Sequence, residues 1–379
     1  MDVERVLESR KNPNVAVGES SLPCKAPWNN MYFNTRGDVS PCWRLVGHGP
    51  RYSKHLNTIT DIWNNESSLY NGAKLGFQNY RNALSNGEFL NKCKDCKADI
   101  DRGIWPLAKA YDEFPINKSG YPSLLELEVS NKCNLECVMC HPDRSSGLAK
   151  KLGLPLMEPY DDSFRQELKE YIPHLTQIRF NGGEPLLHDM FYDICEDISK
   201  LNPDCVIGLT TNGSVMNKNV KKVLKNNRVN PQISNDSLIH ERYSKIRVNG
   251  KLDKWLENFE IFKKYAHEEE TTLVINTNPM RNNWEEMPHF LDFVNENQVC
   301  LWFNTVLEPE HCAIWNLPSE ELEHIYKTLS HELKIRKENK PIRPETEKTL
   351  KYGIDFNISV LENLVENEIK TWWEESLDI

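Results

Sequence analysis

The chain has 379 residues, of which 39% are apolar and 27% are charged, with 46 Lys and Arg against 56 Asp and Glu. This composition excludes a disordered or collagen-like chain, and the net charge of −10 disfavours non-specific binding to nucleic acid. Neither a stretch of about 18 uncharged apolar residues nor a signal-peptide pattern occurs. We therefore expect a cytoplasmic protein with neither nucleic-acid nor membrane partners.

The first 110 residues are rich in Asn, Gly and Pro and contain four closely spaced cysteines. Cys24 and Cys42 stand in a C-x12-G-x4-C arrangement, and Ile62-Trp63-Asn64 and Arg81 separate them from a C-x-x-C pair, Cys93 and Cys96. Four thiolates close either a zinc site or an iron–sulfur site, and the spacing alone slightly favours a structural zinc ribbon. We predict a small domain over residues 1–110 that depends on its metal for stability.

Residues 120–317 alternate short apolar runs with longer amphipathic ones, which is typical of βα units. Six strands are predicted, namely SLLELEV, TQIRF, CVIGLTT, PQIS, TLVINT and VCLWFNT, starting at residues 123, 176, 205, 231, 272 and 299. Six units are too few to close a (β/α)8 barrel. The predicted fold class is therefore α/β, a partial (β/α)6 TIM-like barrel with one open side.

A loop with three more cysteines follows the first predicted strand. Cys133, Cys137 and Cys140 have C-x3-C-x2-C spacing at a strand's carboxyl end, where barrel active sites form. Three thiolates leave one iron of a cubane cluster without a protein ligand. The alternative is a Cys3His zinc site with His141, but neighbouring residues of an extended chain point to opposite sides.

This loop resembles the cluster-binding loop of the radical S-adenosylmethionine superfamily, and further motifs of that family follow in order. They are Asn181-Gly182-Gly183-Glu184-Pro185, Thr210-Thr211-Asn212-Gly213, and Ser234 with Arg247 in an S-x-D…Y-x-x-I-R stretch. The resemblance covers residues 123 to about 306. It implies one [4Fe–4S] cluster on the three cysteines and S-adenosylmethionine as cofactor.

The resemblance also implies roles for the motif residues. Gly182, Gly183, Glu184 and Pro185 would hold the methionyl amine, and Thr211 with Asn212 would approach the ribose. Ser234 and Arg247 would meet the cofactor carboxylate, for which a planar guanidinium is well suited. Asn235 stands where relatives usually carry an apolar residue.

The region upstream resembles a twitch domain, a shortened SPASM domain that holds one auxiliary [4Fe–4S] cluster. Here it precedes the barrel, as in the subgroup with an N-terminal twitch domain. The resemblance implies that Cys24, Cys42, Cys93 and Cys96 bind this second cluster.

The implied activity is abstraction of a hydrogen atom from substrate by a 5′-deoxyadenosyl radical, with the auxiliary cluster assisting oxidation or a related modification. We expect a small polar metabolite as substrate, because no leader-binding segment is apparent in the first 23 residues. The alternatives are a maturase that modifies a peptide or protein side chain and, from another class, a non-catalytic zinc-binding interaction protein. A one-electron reductant such as flavodoxin or ferredoxin is the implied partner.

Four further cysteines and one arginine complete the candidates. Cys195, Cys205 and Cys300 lie singly in apolar surroundings and are predicted to be core residues. Cys312, past the last predicted strand, is a candidate hydrogen-atom donor, and Arg144 is a candidate substrate contact. Residues 318–379 are predicted as a helical extension, whose stripe of Leu361, Leu364, Val365, Ile369, Trp372 and Trp373 packs against the barrel.

Overall fold

The computed structural model describes residues 22–52, 58–64, 76–101, 110–340 and 353–377. The chain divides into two compact units. The first comprises Met1–Asn131 and Leu156–Ile207, and the second comprises Lys132–Pro155 and Gly208–Ile379. The first 23 residues, on which the expectation about a leader-binding segment depends, lie almost wholly outside the described residues.

The strands form one sheet in the order β2-β1-β3-β4-β5-β6-β7-β8. They are β1 (Asn30–Phe33), β2 (Val39–Ser40), β3 (Leu124–Leu127), β4 (Gln177–Phe180), β5 (Val206–Thr211), β6 (Val229–Ser234), β7 (Val274–Thr277) and β8 (Cys300–Phe303). All six predicted strands are confirmed as β3 to β8. The sheet is mostly parallel, with helices between successive strands, which agrees with a partial TIM-like barrel and confirms the α/β fold class.

Two strands of the cysteine-rich region join this sheet, which the sequence did not predict. Strand β1 pairs in parallel with β3, so that Tyr32 lies opposite Glu126, and β2 pairs with β1 in antiparallel orientation. All four residues of β1 are buried. A four-residue run, Asn30 to Phe33, is too short to show the alternating pattern by which strands are recognised.

The α-helices of the described residues run between and after the strands. They are α1 (Ala26–Asn29), α2 (Ile59–Asn64), α3 (Phe77–Ser85), α4 (Cys93–Asp101), α5 (Ser146–Lys151), α6 (Asp162–Tyr171), α7 (Asp189–Leu201), α8 (Lys218–Asn226), α9 (His240–Ile246), α10 (Leu252–Glu268), α11 (Met287–Glu296), α12 (Ser319–Glu338), α13 (Ile354–Glu362) and α14 (Lys370–Ser376). None of them is long and apolar enough to cross a membrane.

Helix α10 shows how the sequence specifies these elements. Its buried residues Trp255, Phe259, Phe262 and Ala266 follow one another at helical spacing and form a single apolar face. The Trp255 and Phe259 rings stack with their centroids 5.3 Å apart. Burial of each large side chain contributes about 2 kcal/mol, which outweighs the weak intrinsic propensity of aromatic residues for helices.

The C-terminal segment packs along the first part of its predicted apolar stripe, whereas Trp372 and Trp373 in α14 are only partly buried. A π-helical stretch, Asn363–Ile369, joins α13 to α14, and Leu361, Leu364, Val365 and Ile369 are fully or almost fully buried. Asn357 on α13 accepts a hydrogen bond from the Leu301 amide of β8 at 2.9 Å. The stripe therefore serves packing in the second unit.

Candidate functional site

Four cysteines of the first unit line one cavity. Cys24 precedes α1, Cys42 follows β2, and Cys93 and Cys96 lie three residues apart in α4, on one face of that helix. The rest of the wall is mostly apolar and includes Leu45, Leu84, Phe89, Ile100 and Tyr111. The structure thus brings together the four residues predicted to bind metal in this region.

The four thiols also affect one another electrostatically. Burial raises the pKa of Cys42 well above its ordinary value, and the charges of Cys24 and Cys93 add to this shift. Burial raises the pKa of Cys93 to about 12, with further contributions from Cys24 and Cys96. Four sulfur ligands around an apolar cavity are the donor set that an iron–sulfur cluster requires. Among the described residues, no group of three or more His, Cys, Asp or Glu side chains is arranged to hold a single metal ion.

Arg81 explains why a separate tryptophan segment belongs to this site. Its guanidinium lies 4.1 Å from the centre of the Trp63 ring and donates hydrogen bonds to the carbonyl oxygens of Pro27 and Trp63, at 2.8 and 2.9 Å. Pro27 itself lines the cavity. Arg81 thereby ties α2 and α3 to the turn that carries Cys24.

The three-cysteine loop follows β3 and lies in the second unit. Cys137 is buried, whereas Cys133 and Cys140 are partly buried. Burial, and then the charges of Cys137 and Cys133, raise the pKa of Cys140 to about 12, and Arg144 partly opposes them. The charges of Cys137, Cys133 and Arg144 thus all act on the Cys140 thiol. The three thiols match the three-thiolate donor set that leaves one iron of a cubane open.

The loop is held by hydrogen bonds from the segment after it. The Cys133 amide donates to the Ser146 hydroxyl at 3.2 Å, and the Ser145 hydroxyl donates to the Leu135 carbonyl at 2.8 Å. His141 is exposed, and its Nδ1 accepts from the Asp143 amide at 3.3 Å within its own turn. This hydrogen bond holds His141 in its own turn. It does not support the alternative of a Cys3His zinc site.

The ends of β5 and β6 contribute further predicted residues to the second unit. Asn212, after β5, donates through Nδ2 to Asn134 Oδ1 at 2.9 Å and to Cys133 Sγ at 3.9 Å, so the T-N-G motif touches the cysteine loop. Thr211 accepts from the Gly213 amide at 3.2 Å. Ser234 ends β6, and its carbonyl accepts from the Trp255 indole at 3.1 Å.

Arg247 is almost completely buried and forms an ion pair with the buried Asp236, the Nη2–Oδ2 distance being 2.7 Å. Burial raises the pKa of Cys137, and the adjacent Arg247 charge lowers it. The Nε of Arg247 is buried and has no hydrogen-bond partner among the described residues. Asp236 is the aspartate of the S-x-D pattern, but the sequence does not predict its pairing with Arg247, because an ion pair across 11 residues leaves no local pattern.

The G-G-E-P motif lies in the first unit, after β4. Gly182 has φ +103°, and a Cβ atom there would lie 3.0 Å from Glu128 Cβ, so only glycine fits. The Gly183 amide donates to the Ser130 carbonyl at 3.1 Å. Glu184 is buried and accepts from the Leu186 amide at 3.1 Å, and Pro185 begins a 3-10 turn.

The remaining candidates differ in their surroundings. Cys195, Cys205 and Cys300 are each about 1% exposed, which confirms them as core residues. Cys312 is also buried, and its thiol donates to the Val138 carbonyl within the cysteine loop, with a sulfur–oxygen distance of 3.6 Å. Cys312 therefore packs beneath the loop.

Gly213 of the T-N-G motif permits a direct test of close packing. Gly213 and Gly153 have similar backbone angles, φ +73° and +68°, but only at Gly213 would a Cβ collide, lying 2.7 Å from Trp255 Cδ1 and 2.8 Å from Ile233 Cγ2. We expect Gly213→Ala to destabilise the fold by about 1–3 kcal/mol more than Gly153→Ala. Urea denaturation of both variants measures the difference, and equal losses would contradict the packing argument.

Together, the fold and the two cysteine groups define the class of protein, an α/β protein with two sulfur-rich sites. Residues 127–294 match the family model of the radical SAM superfamily, and residues 24–97 match SPASM, an iron–sulfur cluster-binding domain. These matches support an enzyme of the radical SAM superfamily with an iron–sulfur domain. They imply [4Fe–4S] clusters and binding of S-adenosylmethionine.

Similar curated proteins include a GTP 3′,8-cyclase of Clostridium botulinum, 28% identical over 228 residues, which are 59% of this chain and 66% of the relative. A probable GTP 3′,8-cyclase of Methanocaldococcus jannaschii is 30% identical over 45% of this chain and 55% of its own length. The chain thus covers less than two thirds of these relatives.

Similar solved structures are more remote. The structure of anSMEcpe with bound AdoMet has a TM-score of 0.44 and 22% identity, covering 57% of this chain and 61% of the other. Streptococcus suis SuiB bound to S-adenosylmethionine has a TM-score of 0.40 and 16% identity, covering 68% of this chain and 57% of the other.

Proposed function

We propose that the protein is a radical SAM enzyme that removes a hydrogen atom from a small polar metabolite and uses a second cluster to complete an oxidation or a related modification. The observation that carries this proposal is the three-thiol loop after the first barrel strand, in which the charges of Cys133 and Cys137 both act on the Cys140 thiol. When bound, the cluster and S-adenosylmethionine supply a 5′-deoxyadenosyl radical.

The chain's own part is to bind and orient the cofactor and to exclude water. Gly182 permits the tight turn that leads to Glu184, which is proposed to hold the methionyl amine, and Thr211 with Asn212 supplies polar groups for a ribose. Arg247 supplies the strongest support, because its buried Nε lacks a partner among the described residues. Buried donors are rarely left unpaired, and a carboxylate oxygen of the cofactor would satisfy this one.

The four-thiol cavity is the proposed site of the auxiliary cluster, in a twitch domain that precedes the barrel. The domains are proposed as residues 1–110, 120–317 and 318–379. An auxiliary cluster would accept the electron left on the substrate radical or would bind the substrate.

Cys312 and Arg144 are proposed as hydrogen-atom donor and substrate contact, and of the two Arg144 has the better support, since it lies beside Cys140.

A small substrate is favoured because the similar curated proteins are named for reactions of a nucleotide. A peptide substrate is the alternative, and comparison of metabolite extracts with ribosomally encoded peptides as substrates separates the two. The reaction is proposed to take place in the cytoplasm with flavodoxin or ferredoxin as electron donor, since reduced thiols are needed to hold both clusters.

Arg247 gives a prediction about the cofactor site. Arg247→Ala should weaken binding of S-adenosylmethionine by about 10- to 100-fold, the loss of one charge-assisted hydrogen bond, while iron content stays unchanged. Calorimetric titration and iron analysis measure the two quantities. Arg336→Ala is the matched control, because Arg336 forms ion pairs with Asp292 and Glu332 in the C-terminal part of the same unit. Unaltered affinity in Arg247→Ala would remove Arg247 from the cofactor site.

The proposed function is tested by anaerobic reconstitution with iron and sulfide, followed by addition of S-adenosylmethionine and dithionite. The expected product is 5′-deoxyadenosine, measured by liquid chromatography. Reconstituted protein that contains iron but forms none of this product would refute the proposal.

A further inference from the structure

A charged pair lies buried directly behind the three-cysteine loop. Asp236 is fully buried and Arg247 is 4% exposed, and they are joined by the 2.7 Å contact between Nη2 and Oδ2. Two opposite charges removed from water are costly to bury, and they are retained where they are well paired and hydrogen-bonded. Burial of the Asp236–Arg247 pair is therefore weak evidence that the pair stabilises the fold.

The backbone fixes Arg247 opposite one particular thiol. The amide of Glu136 donates to the carbonyl of Val248 at 3.1 Å, and the amide of Val138 donates to the carbonyl of Ile246 at 3.0 Å. These two hydrogen bonds bracket Cys137 on one segment and Arg247 on the other. The guanidinium of Arg247 contacts Asp236, and its charge lowers the pKa of the Cys137 thiol, which burial raises.

Asp236 is itself held rigidly at the end of β6. Its Oδ1 accepts from the amide and from the side-chain nitrogen of Asn278, at 2.8 and 2.9 Å. Its carbonyl oxygen accepts from Asn283 Nδ2 at 2.8 Å. With Oδ1 so engaged, Oδ2 is the oxygen that faces Arg247, and the carboxylate cannot rotate without breaking two hydrogen bonds.

A fixed charge beside a cluster ligand alters how readily the cluster takes up an electron. A positive charge stabilises the reduced, more negative cluster, and a negative charge destabilises it, with weak screening when both are buried. We propose that Asp236 and Arg247 are positioning residues that set the reduction potential of the three-thiol cluster through Cys137, with Arg247 raising the potential and Asp236 limiting that rise. This inference rests on the proposed function, since it requires a cluster on the loop.

The test compares two single variants of the reconstituted full chain without S-adenosylmethionine. In a redox titration followed by electron paramagnetic resonance, Arg247→Gln should shift the potential of the loop cluster to more negative values, and Asp236→Asn should shift it to less negative values. The reduction potential of the double variant should lie between those of the two single variants. Arg242→Gln is the control, because Arg242 pairs with the buried Glu286 and not with a thiol, and it should leave the potential nearly unchanged.

Shifts of opposite sign distinguish an electrostatic effect from loosened structure, which would move both variants the same way. Shifts of the same sign, or no shift in either variant, would overturn the inference. If Arg247→Gln does not fold, Asp236→Asn is compared with Arg247→Lys. Asp236→Asn should still shift the potential to less negative values, and Arg247→Lys, which keeps the positive charge, should shift it by less than Asp236→Asn does. Failure of the parent protein to bind a cluster on the loop would refute the proposed function instead.

Discussion

Replacing any one of Cys133, Cys137 or Cys140 by alanine is expected to abolish formation of 5′-deoxyadenosine. Each of the three is a proposed iron ligand, and two remaining thiolates do not hold a cubane with an open iron in the geometry that the cofactor needs. The measurement is product formation by the reconstituted protein with dithionite as electron donor. Cys195→Ala is the control, because Cys195 is a buried thiol of α7 that belongs to neither cysteine group and should be dispensable for cleavage.

The four upstream cysteines should behave differently. A variant with Cys93→Ala and Cys96→Ala is expected to retain cleavage of S-adenosylmethionine but to lose conversion of substrate, since the auxiliary cluster acts only after the radical has formed. A small region can unfold without its metal, so circular dichroism and solubility must match those of the parent. If the folded double variant converted substrate at the parental rate, the upstream site would be structural, and a zinc ribbon would again be its better explanation.

The second large effect concerns metal content. Reconstituted protein should contain about eight iron and eight sulfide per chain, from two four-iron clusters. Alanine at all three loop cysteines, or at Cys93 and Cys96 together, should each halve both values, because the two sites lie in separate units of the chain. Colourless protein that holds two zinc ions per chain would contradict the whole assignment.

The sequence predicted the barrel strands and the cysteine groups because both leave local signals. Strands such as TLVINT are short and apolar, and C-x3-C-x2-C is a compact pattern. It did not predict β1, because that strand has only four residues and its partner lies about 90 residues away in the sequence. Nor did it predict the Asp236–Arg247 pair, because the sequence shows both residues without showing that they are buried together.

Pairing of β1 with β3 has a consequence for how this chain can be divided. Leu124–Leu127 is apolar at three of its four positions and is buried, and β1 covers one side of its backbone. A fragment cut before residue 120 would leave that row of amides and carbonyls without partners, as an open edge that can add strands from other copies. The cysteine-rich region thus shields the strand that leads into the three-cysteine loop, and a truncated barrel would be prone to self-association for a reason unrelated to iron.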